Sequence, residues 1–325
     1  MARPTQPAGR GSKPDDPVVA FLTGLIFVYQ GHDEDDLAGL APEVEALLKQ
    51  HPVANRDLSK LPSEQASELM DEAYEAEGLR GVPLAVDALR LTPWAYEPWA
   101  YMAASFGHEP TLAAMLASFA MYAAHRSLKP GVMEEYHGRF WETAETRQFL
   151  ESLMVASSML IDAGRIVEAY HRLDEMMVLD EQDHLGARHW LLPLTIEVHD
   201  LDYAEHLVDT WDDDDTDEAW PYLRAMTEYA RWGNSPQGRE LAREAYRKYP
   251  LVAKYLLNPG MEPKHTPDER TPEEKAWEAA DLIRDCFRRY GGATSWLSEA
   301  TGERTTFSPL RAAKAAAKPR RRRRH

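Results

Sequence analysis

The second half of the chain contains a helix break that recurs at a nearly constant interval. The breaks fall at Gly164, His199 and Gly233, so the intervals are 35 and 34 residues. On each side of a break, apolar residues recur every three or four positions, which is the pattern of an amphipathic helix. A single helix pair of this size cannot bury its apolar face, so pairs repeated at this period must stack on one another. The sequence therefore predicts an all-α chain of stacked helical pairs.

The residues that follow each break support the same interpretation. Five residues after the break stand Ala169, Ala204 and, in place of the usual alanine, Gly238. The interval is that of tetratricopeptide repeats, in which each unit is an antiparallel helix pair. Positions nine and twelve after the break are predicted to pack between units, and they hold Leu173 and Met176, then Val208 and Trp211, then Ala242 and Ala245.

A second set of residues lies between and after the breaks. It comprises Gly164, Arg165 and Ala169, then Asp183, Gly186 and Arg188 at the entry to the next helix, an acidic loop at 212–215, and Pro250, Lys254, Tyr255, Leu256 and Leu257 at the end of the array. Because of these residues, the segment from about 84 to 260 resembles the C-terminal repeats of the suppression-of-tumorigenicity seven family. It resembles still more the bacterial tetratricopeptide proteins related to that family. The resemblance implies a helical-repeat scaffold and brings no catalytic residues with it.

The most apolar run of the chain, from Val18 to Tyr29, is 12 residues long. A helix needs about 20 such residues to cross a bilayer, and Asp15 and Asp16 precede the run where a signal peptide would be basic. We therefore expect a buried helix that packs on the next segment. The animal members of the resembled family carry hydrophobic N-terminal spans, but we do not expect membrane residence or a membrane partner here. The single cysteine, Cys286, is compatible with a reducing cytoplasm, which is the expected location.

Composition and pattern divide the chain into six parts. The predicted architecture is a right-handed tetratricopeptide-like superhelix (an α-solenoid) with disordered termini, because both ends are rich in Pro, Gly or charge. The expected parts are a disordered segment 1–16, N-terminal helical pairs 17–130, a connector 131–143, tetratricopeptide-like repeats 144–258, C-terminal capping helices 259–300 and a disordered basic tail 301–325.

A generic helical bundle with chance periodicity is the competing interpretation. The middle unit has no glycine at its break, and Pro193 lies inside a predicted first helix, where it should kink or interrupt the helix.

The sequence contains no motif that predicts catalysis. It has no P-loop, G-x-G-x-x-G, G-x-S-x-G or H-E-x-x-H string. His184 and His189, five residues apart, do not share a helix face, so a metal site with Asp183 is not expected. Arginines around Cys286 can lower the pKa of a thiol, but the apolar side of its helix predicts a core cysteine. We therefore expect a protein that is not an enzyme and has no cofactor, while a site assembled from scattered residues stays an alternative.

Three local features have structural interpretations. Asp183 is predicted to cap a helix that begins near His184, with Gly186 allowing close packing and Arg188 reaching acidic groups of the preceding unit. The acidic run 212–215 is predicted to be a solvated loop between repeats. The tryptophans of this region are predicted to pack in the stack: Trp211, Trp220 and Trp232.

In a stack of this kind the first helix of each pair lines the concave face, which predicts a groove for a protein or peptide partner. A mixed acidic and apolar groove suits an extended peptide or helix that carries basic residues. The predicted groove residues are Glu151, Met154, Ser158 and Asp162 from the first unit, His189, Ile196 and Glu197 from the second, and Trp220, Thr227 and Arg231 from the third.

The charge of the chain is unevenly distributed. Nine of its 37 basic residues follow position 303 with no acidic residue among them, so the rest carries 28 basic and 54 acidic side chains, a formal charge of −26. Adjacent arginines neutralise phosphates by releasing counterions, which predicts salt-sensitive contact with nucleic acid or the ribosome. An import signal and a tail that folds back on the acidic body are the alternatives. The predicted nucleic-acid-binding residues are Lys318, Arg320, Arg321, Arg322, Arg323 and Arg324.

Overall fold

The computed structural model describes residues 16–30, 36–50, 53, 59–211, 217–264 and 270–304. Within these ranges the regular structure is helical, and the only strand-type pairing is an isolated backbone bridge between Arg139 and Asp180. The all-α prediction is confirmed for this part of the chain. The acidic run 212–215, residues 1–15 and residues 305–325 lie outside the described residues, and with them nearly all of the predicted disordered termini.

Two compact units divide the chain between Met133 and Glu134, a point inside the predicted connector 131–143. That connector contains a four-residue helix, α7 (Val132–Glu135), and a 3-10 turn at Phe140–Glu142. The longer helices of the first unit are α1 (Pro17–Gln30), α2 (Leu37–Lys49), α3 (Pro62–Ala76), α4 (Val82–Leu91), α5 (Tyr96–Ser105) and α6 (Pro110–Ser127).

Trp99 lies at the centre of the first unit. Its ring is fully buried, stacks on Phe119 with 5.0 Å between ring centroids, and lies 6.2 Å from the ring of Phe21. The indole Nε1 donates to the carbonyl oxygen of Pro93 at 3.0 Å, so the one polar atom of the ring is satisfied inside the core. This side chain therefore joins α1, α5 and α6.

The predicted buried helix at Val18–Tyr29 is α1. It buries Phe21, Leu25 and Tyr29, which are four residues apart on one face, and it packs against α2 as expected. Phe27 lies away from that face and is 80% exposed. Among the described residues, no helix combines the length and the apolar character that crossing a membrane requires.

The second unit contains the segment predicted to form the repeats. Consecutive helices from α8 to α16 pack against one another in chain order. They are α8 (Ala144–Asp162), α9 (Ile166–Leu179), α10 (Ala187–Glu197), α11 (Leu201–Thr210), α12 (Trp220–Trp232), α13 (Pro236–Lys248), α14 (Pro250–Leu257), α15 (Pro272–Arg289) and α16 (Ala293–Thr301).

The three predicted breaks separate the two helices of each pair, and the residue at each break has a positive φ angle. Gly164, His199 and Gly233 have φ angles of +78°, +64° and +65°. Glycine adopts this left-handed region freely, whereas a residue with a Cβ atom is strained there by about 1 kcal/mol. The 34–35-residue period is therefore a period of backbone geometry as well as of sequence.

The positions that follow the break are buried, with two exceptions in the middle pair. The residues five after the break lie in the core in all three pairs, and so do the packing residues of the first and third pairs: Ala169, Ala204 and Gly238, then Leu173, Met176, Ala242 and Ala245. In the middle pair Leu207 is buried, while Val208 and Trp211 are only half-buried, so the prediction is wrong there. Trp211 lies beyond the end of α11, which is ten residues long, whereas Val208 lies within that helix on a partly exposed side.

The middle of helix α10 is covered on all sides. Residues 191–196 are all buried, and the helix continues through Pro193 without interruption. Besides α9, α11 and α12, helix α15 packs against it. The predicted C-terminal capping helices therefore do more than close the end of the array: α15 lies on α14 and on α10 of the middle pair, and α16 lies on α13 and α14.

Candidate functional site

The predicted groove residues of the first unit follow one stripe along α8. Glu151 is exposed, whereas Met154, Ser158 and Asp162 are half-buried. Residues three and four apart share a helix face, so these four side chains lie one above another along about three turns. Nine other residues of α8 lie in the core, while positions 144, 145 and 148 near its start are exposed as well.

Three of the six predicted groove residues of α10 and α12 are buried inside the second unit. Ile196 is fully buried, Trp220 is 1% exposed, and Thr227 is buried with its hydroxyl donating to the Leu223 carbonyl oxygen. The physical reason is that both helices carry apolar residues around most of their circumference, so neighbours must cover them on several sides. As the structure stands, these three residues are closed to a partner.

Glu197 faces another part of the same chain. Its Oε2 lies 2.5 Å from Nη1 of Arg289, the last residue of α15. The Glu197 side chain is 11% exposed and that of Arg289 is 47% exposed, so the pair lies at the edge of the core. Burial raises the pKa of the Glu197 carboxyl above its ordinary value, with Arg289 acting in the opposite direction. The ion pair thus does not fully offset the cost of burying this carboxylate.

An aromatic cluster extends this contact from α10 to α12. Tyr229 stacks on Trp296 with 4.5 Å between ring centroids and meets Tyr290 edge-on at 6.2 Å. Tyr290 donates its hydroxyl to the Ala230 carbonyl oxygen at 2.8 Å, and Tyr229 donates to that of Gly291 at 3.1 Å. The turn between α15 and α16 is therefore held by the C-terminal end of α12.

Gly292 shapes this turn. It has a φ of +82°, and a Cβ atom on it would stand 2.8 Å from the Tyr229 hydroxyl oxygen. Neighbouring Gly291 has open space around its Cβ position. Any side chain at position 292 would therefore meet both backbone strain and a steric conflict.

The remaining predicted groove residues are paired within the second unit. His189 Nδ1 lies 2.8 Å from Asp217 Oδ2. Arg231 forms ion pairs with Asp202 at 2.6 Å and with Glu205 at 3.1 Å, both on α11. These charges join first helices to neighbouring parts of the array.

Asp183 caps the start of α10, at a position shifted from the prediction. Its carboxylate accepts from the backbone N–H of Ala187 at 2.5 Å and of Arg188 at 3.1 Å, so the helix begins at Ala187 and not near His184. Arg188 Nη1 bonds to Asp183 itself at 2.7 Å, not to an acid of the preceding unit. Gly186 has a φ of +69°, and a Cβ atom on it would stand 3.1 Å from Cδ2 of His189, so its close contact is with its own helix and not with the preceding one.

The three tryptophans differ in environment. Trp220 is buried as predicted, and the ring of Trp211 lies under the Arg188 guanidinium, 4.3 Å from its centroid. Trp232 is 68% exposed, so the prediction that it packs in the stack is wrong. It is the last residue of α12, directly before the turn at Gly233, and lies beyond the buried residues of that helix.

Cys286 is a core residue. It is 1% exposed, and burial raises the pKa of its thiol well above the ordinary value, with the nearby Glu197 carboxylate acting in the same direction. The arginines around it do not reverse this effect. A thiol held in its protonated form is a poor nucleophile.

A cavity of about 130 Å³ lies beside α9 and the turn that precedes α8. Trp141 stacks on His184 with 5.2 Å between ring centroids, and His184 Nδ1 lies 2.8 Å from the buried Asp180. The other lining residues are Gly138, Arg139, Glu142 and Gln182. In the described part of the chain, no group of three or more His, Cys, Asp or Glu side chains is placed to hold a metal ion.

The sequence interpretation did not anticipate the contact residues on α15 and α16. Arg289, Tyr290 and Trp296 were assigned to an end cap. One signal was available, because the run "LLPLTI" at 191–196 has no polar face and must be covered on every side. Short α11 cannot supply that cover alone.

Comparison with protein-family models gives no match to this chain, and comparison with curated proteins gives none either.

Proposed function

We propose that this protein is a non-catalytic interaction scaffold of tetratricopeptide-like pairs, related to the suppression-of-tumorigenicity seven proteins and working in the cytoplasm. The observation that supports it best is the recurrence of a residue with a positive φ at three positions, 35 and 34 residues apart, between packed helices. A right-handed solenoid built from such pairs presents its first helices to a partner.

The open stripe of α8 is the part of this face that a partner reaches first. Glu151 is exposed at one end, and Met154 and Ser158 give a less polar middle. Outside its last 22 residues the chain has a formal charge of −26. A peptide or helix with basic residues is therefore attracted over a distance and held locally beside Glu151.

Substitution of Glu151 tests this function. We expect Glu151→Lys to abolish retention of partner proteins by the immobilised full-length chain at physiological salt. Asp209→Lys is the matched control, because Asp209 is also acidic and exposed but lies on α11, a second helix. Equal retention by the two variants would count against the α8 stripe as the binding surface.

Contact with nucleic acid is a second candidate function, favoured by the five adjacent arginines 320–324 together with Lys318. Such a tail binds phosphates without sequence preference and loses affinity steeply as salt rises. Removal of residues 311–325 should abolish retention on immobilised RNA at low salt. Absence of retention by the intact protein would eliminate this function.

A further inference from the structure

Helix α13 carries a charge opposite to that of its surroundings. Four of its 13 residues are basic and two are acidic, a formal charge of +2, while no other helix in the described part of the chain exceeds +1. All six charged side chains are exposed: Arg239, Arg243, Arg247 and Lys248, with Glu240 and Glu244. The three arginines are four residues apart, so they form one stripe along the helix. This stripe reverses the sign of the charge locally on a body that carries −26.

Ion pairs within α13 hold two of these arginines only weakly. Glu240 lies 3.4 Å from the guanidinium of Arg243 and 3.1 Å from that of Arg247, and the three side chains are 47–62% exposed. Exposed pairs on one helix contribute little, so the arginines can exchange them for a phosphate group. Arg239 bonds to a neutral acceptor, the side-chain oxygen of Asn234, at 2.5 Å.

The last described residues of the chain are held beside this stripe. Arg243 donates to the Ala300 carbonyl oxygen at 3.3 Å, and Tyr246 of the same helix donates to Glu303 Oε2 at 2.9 Å. Eight further basic residues and no acidic one follow Arg304 in the sequence. The chain therefore leaves the body next to the basic face of α13.

We infer that α13 and the C-terminal tail form one phosphate-binding surface for nucleic acid, in which the exposed arginines of α13 hold the backbone of a strand that the tail also contacts. Guanidinium groups bind phosphate through paired N–H donors, and each such contact releases counterions. The acidic remainder of the body repels a polyanion, so α13 is the face on which a strand held by the tail can lie. This inference rests on the second candidate function and adds a surface of the folded body to it.

The exposed face of α13 suits nucleic acid better than a membrane surface. A helix that lies on a membrane turns large apolar residues toward the lipid. On α13, Ala242 and Ala245 are in the core and Leu241 is half-buried, whereas the exposed side chains, apart from Pro236, are polar or charged. A strand of phosphates requires no apolar insertion and is therefore the ligand that this face fits.

Binding of a fluorescein-labelled single-stranded RNA of mixed sequence to the full-length chain tests the inference, with fluorescence anisotropy measured over a range of salt concentrations. We expect Arg239→Gln combined with Arg247→Gln to lower the affinity about fivefold or more at low salt. The slope of log affinity against log salt should fall by about 1.4, because each lost contact with a single strand removes about 0.7. Lys49→Gln combined with Lys60→Gln is the matched control, since it removes two exposed cations from the first unit. Equal changes in the two double variants would overturn the inference.

Glu240→Gln should change the affinity in the opposite direction. It removes the carboxylate that lies beside Arg243 and Arg247, so the same RNA should bind about threefold more tightly. Asp209→Asn is the control, because it removes one exposed acidic charge from α11 and should leave the affinity nearly unchanged. An equal rise in both variants would mean that net charge, and not the α13 surface, sets the affinity.

Two further results separate this inference from the function on which it rests. RNA binding that needs residues 311–325 but is unchanged by the α13 substitutions would contradict the inference and leave contact by the tail alone. Absence of RNA binding by the unchanged chain would eliminate both. Vesicles that contain phosphatidylserine are the remaining probe, and binding to them that depends on Arg239 and Arg247 as strongly as RNA binding does would contradict nucleic acid as the ligand.

Discussion

The guanidinium of Arg289 lies 2.5 Å from the carboxylate of Glu197. These two residues are 92 positions apart in the sequence, and their contact joins helix α15 to helix α10. This contact places the C-terminal helix α15 on the middle pair of the array. The sequence predicted a groove open along all three first helices. In the structure the part on α8 is accessible to a partner, whereas the part on α10 and α12 is covered by other segments of the chain.

Glu197→Gln is predicted to change the pH dependence of stability. Because burial raises the folded-state pKa of Glu197 above its ordinary value, the carboxyl favours folding while protonated. That contribution is fully present below the unfolded-state pKa and is lost as pH rises through the folded-state pKa. The unchanged protein should therefore lose stability relative to Glu197→Gln as pH rises from about 4 toward neutrality, measured by urea unfolding at each pH. A gain over the same range would show that the ion pair with Arg289 outweighs burial.

Gly164→Ala is predicted to cost about 1 kcal/mol of unfolding free energy. No atom lies within 4 Å of the Cβ position, so the cost comes from the φ of +78° and not from a steric conflict. Gly291→Ala, also in open space but without a positive φ, is the control and should be nearly neutral. Equal melting temperatures for the two variants would mean that the break at 164 is not held in the left-handed region.

The Tyr170 hydroxyl is predicted to stabilise the first two pairs below about pH 10. It donates to Asp200 Oδ2 at 2.9 Å, and Asp200 in turn caps α11 by accepting from the Tyr203 N–H. Burial and this bond raise the pKa of Tyr170 to about 12. The contribution to folding is thus present below the ordinary pKa of 10 and is lost as pH rises from 10 toward 12. The unchanged protein should have a larger free energy of unfolding than Tyr170→Phe at pH 10, and this difference should shrink as pH rises toward 12. A difference that stays constant over this range would contradict the prediction.

Asp183→Ala is predicted to be among the more damaging substitutions in the array, costing about 3 kcal/mol. It removes both backbone bonds at the start of α10 and leaves the Arg188 guanidinium without its carboxylate. A double-mutant cycle with Arg188→Ala in chemical unfolding should show that the two costs are not additive. Asp209→Ala, on the surface of α11, is the control with an expected effect near zero. Additive costs would mean that the buried pair does not couple.

The sequence predicted what is encoded locally. Gly164 and Gly233 were identifiable because a positive φ favours glycine, whereas His199 was identifiable only from the interval. Ala169 and Ala204 were identifiable because close helix contact requires a small residue. The placement of α15 was not identifiable in this way, because the pairing of Glu197 with Arg289 leaves no short-range pattern. Of the predicted groove, the α8 residues are on a solvent-reaching stripe, while Ile196 and Trp220 satisfy the same periodicity as core residues. Periodicity alone does not distinguish an inner face that is open from one that is covered.

Photo-crosslinking from the α8 stripe tests the scaffold function most directly. A photoreactive residue at Met154 of the full-length chain, followed by mass spectrometry of the linked peptides, identifies what lies on this surface. We predict crosslinks to a basic helical segment of another protein, lost when Glu151→Lys is added and absent when the photoreactive residue is placed at Asp209. Crosslinks that persist with Glu151→Lys, or that form equally from position 209, would contradict a partner surface on the first helices of the array.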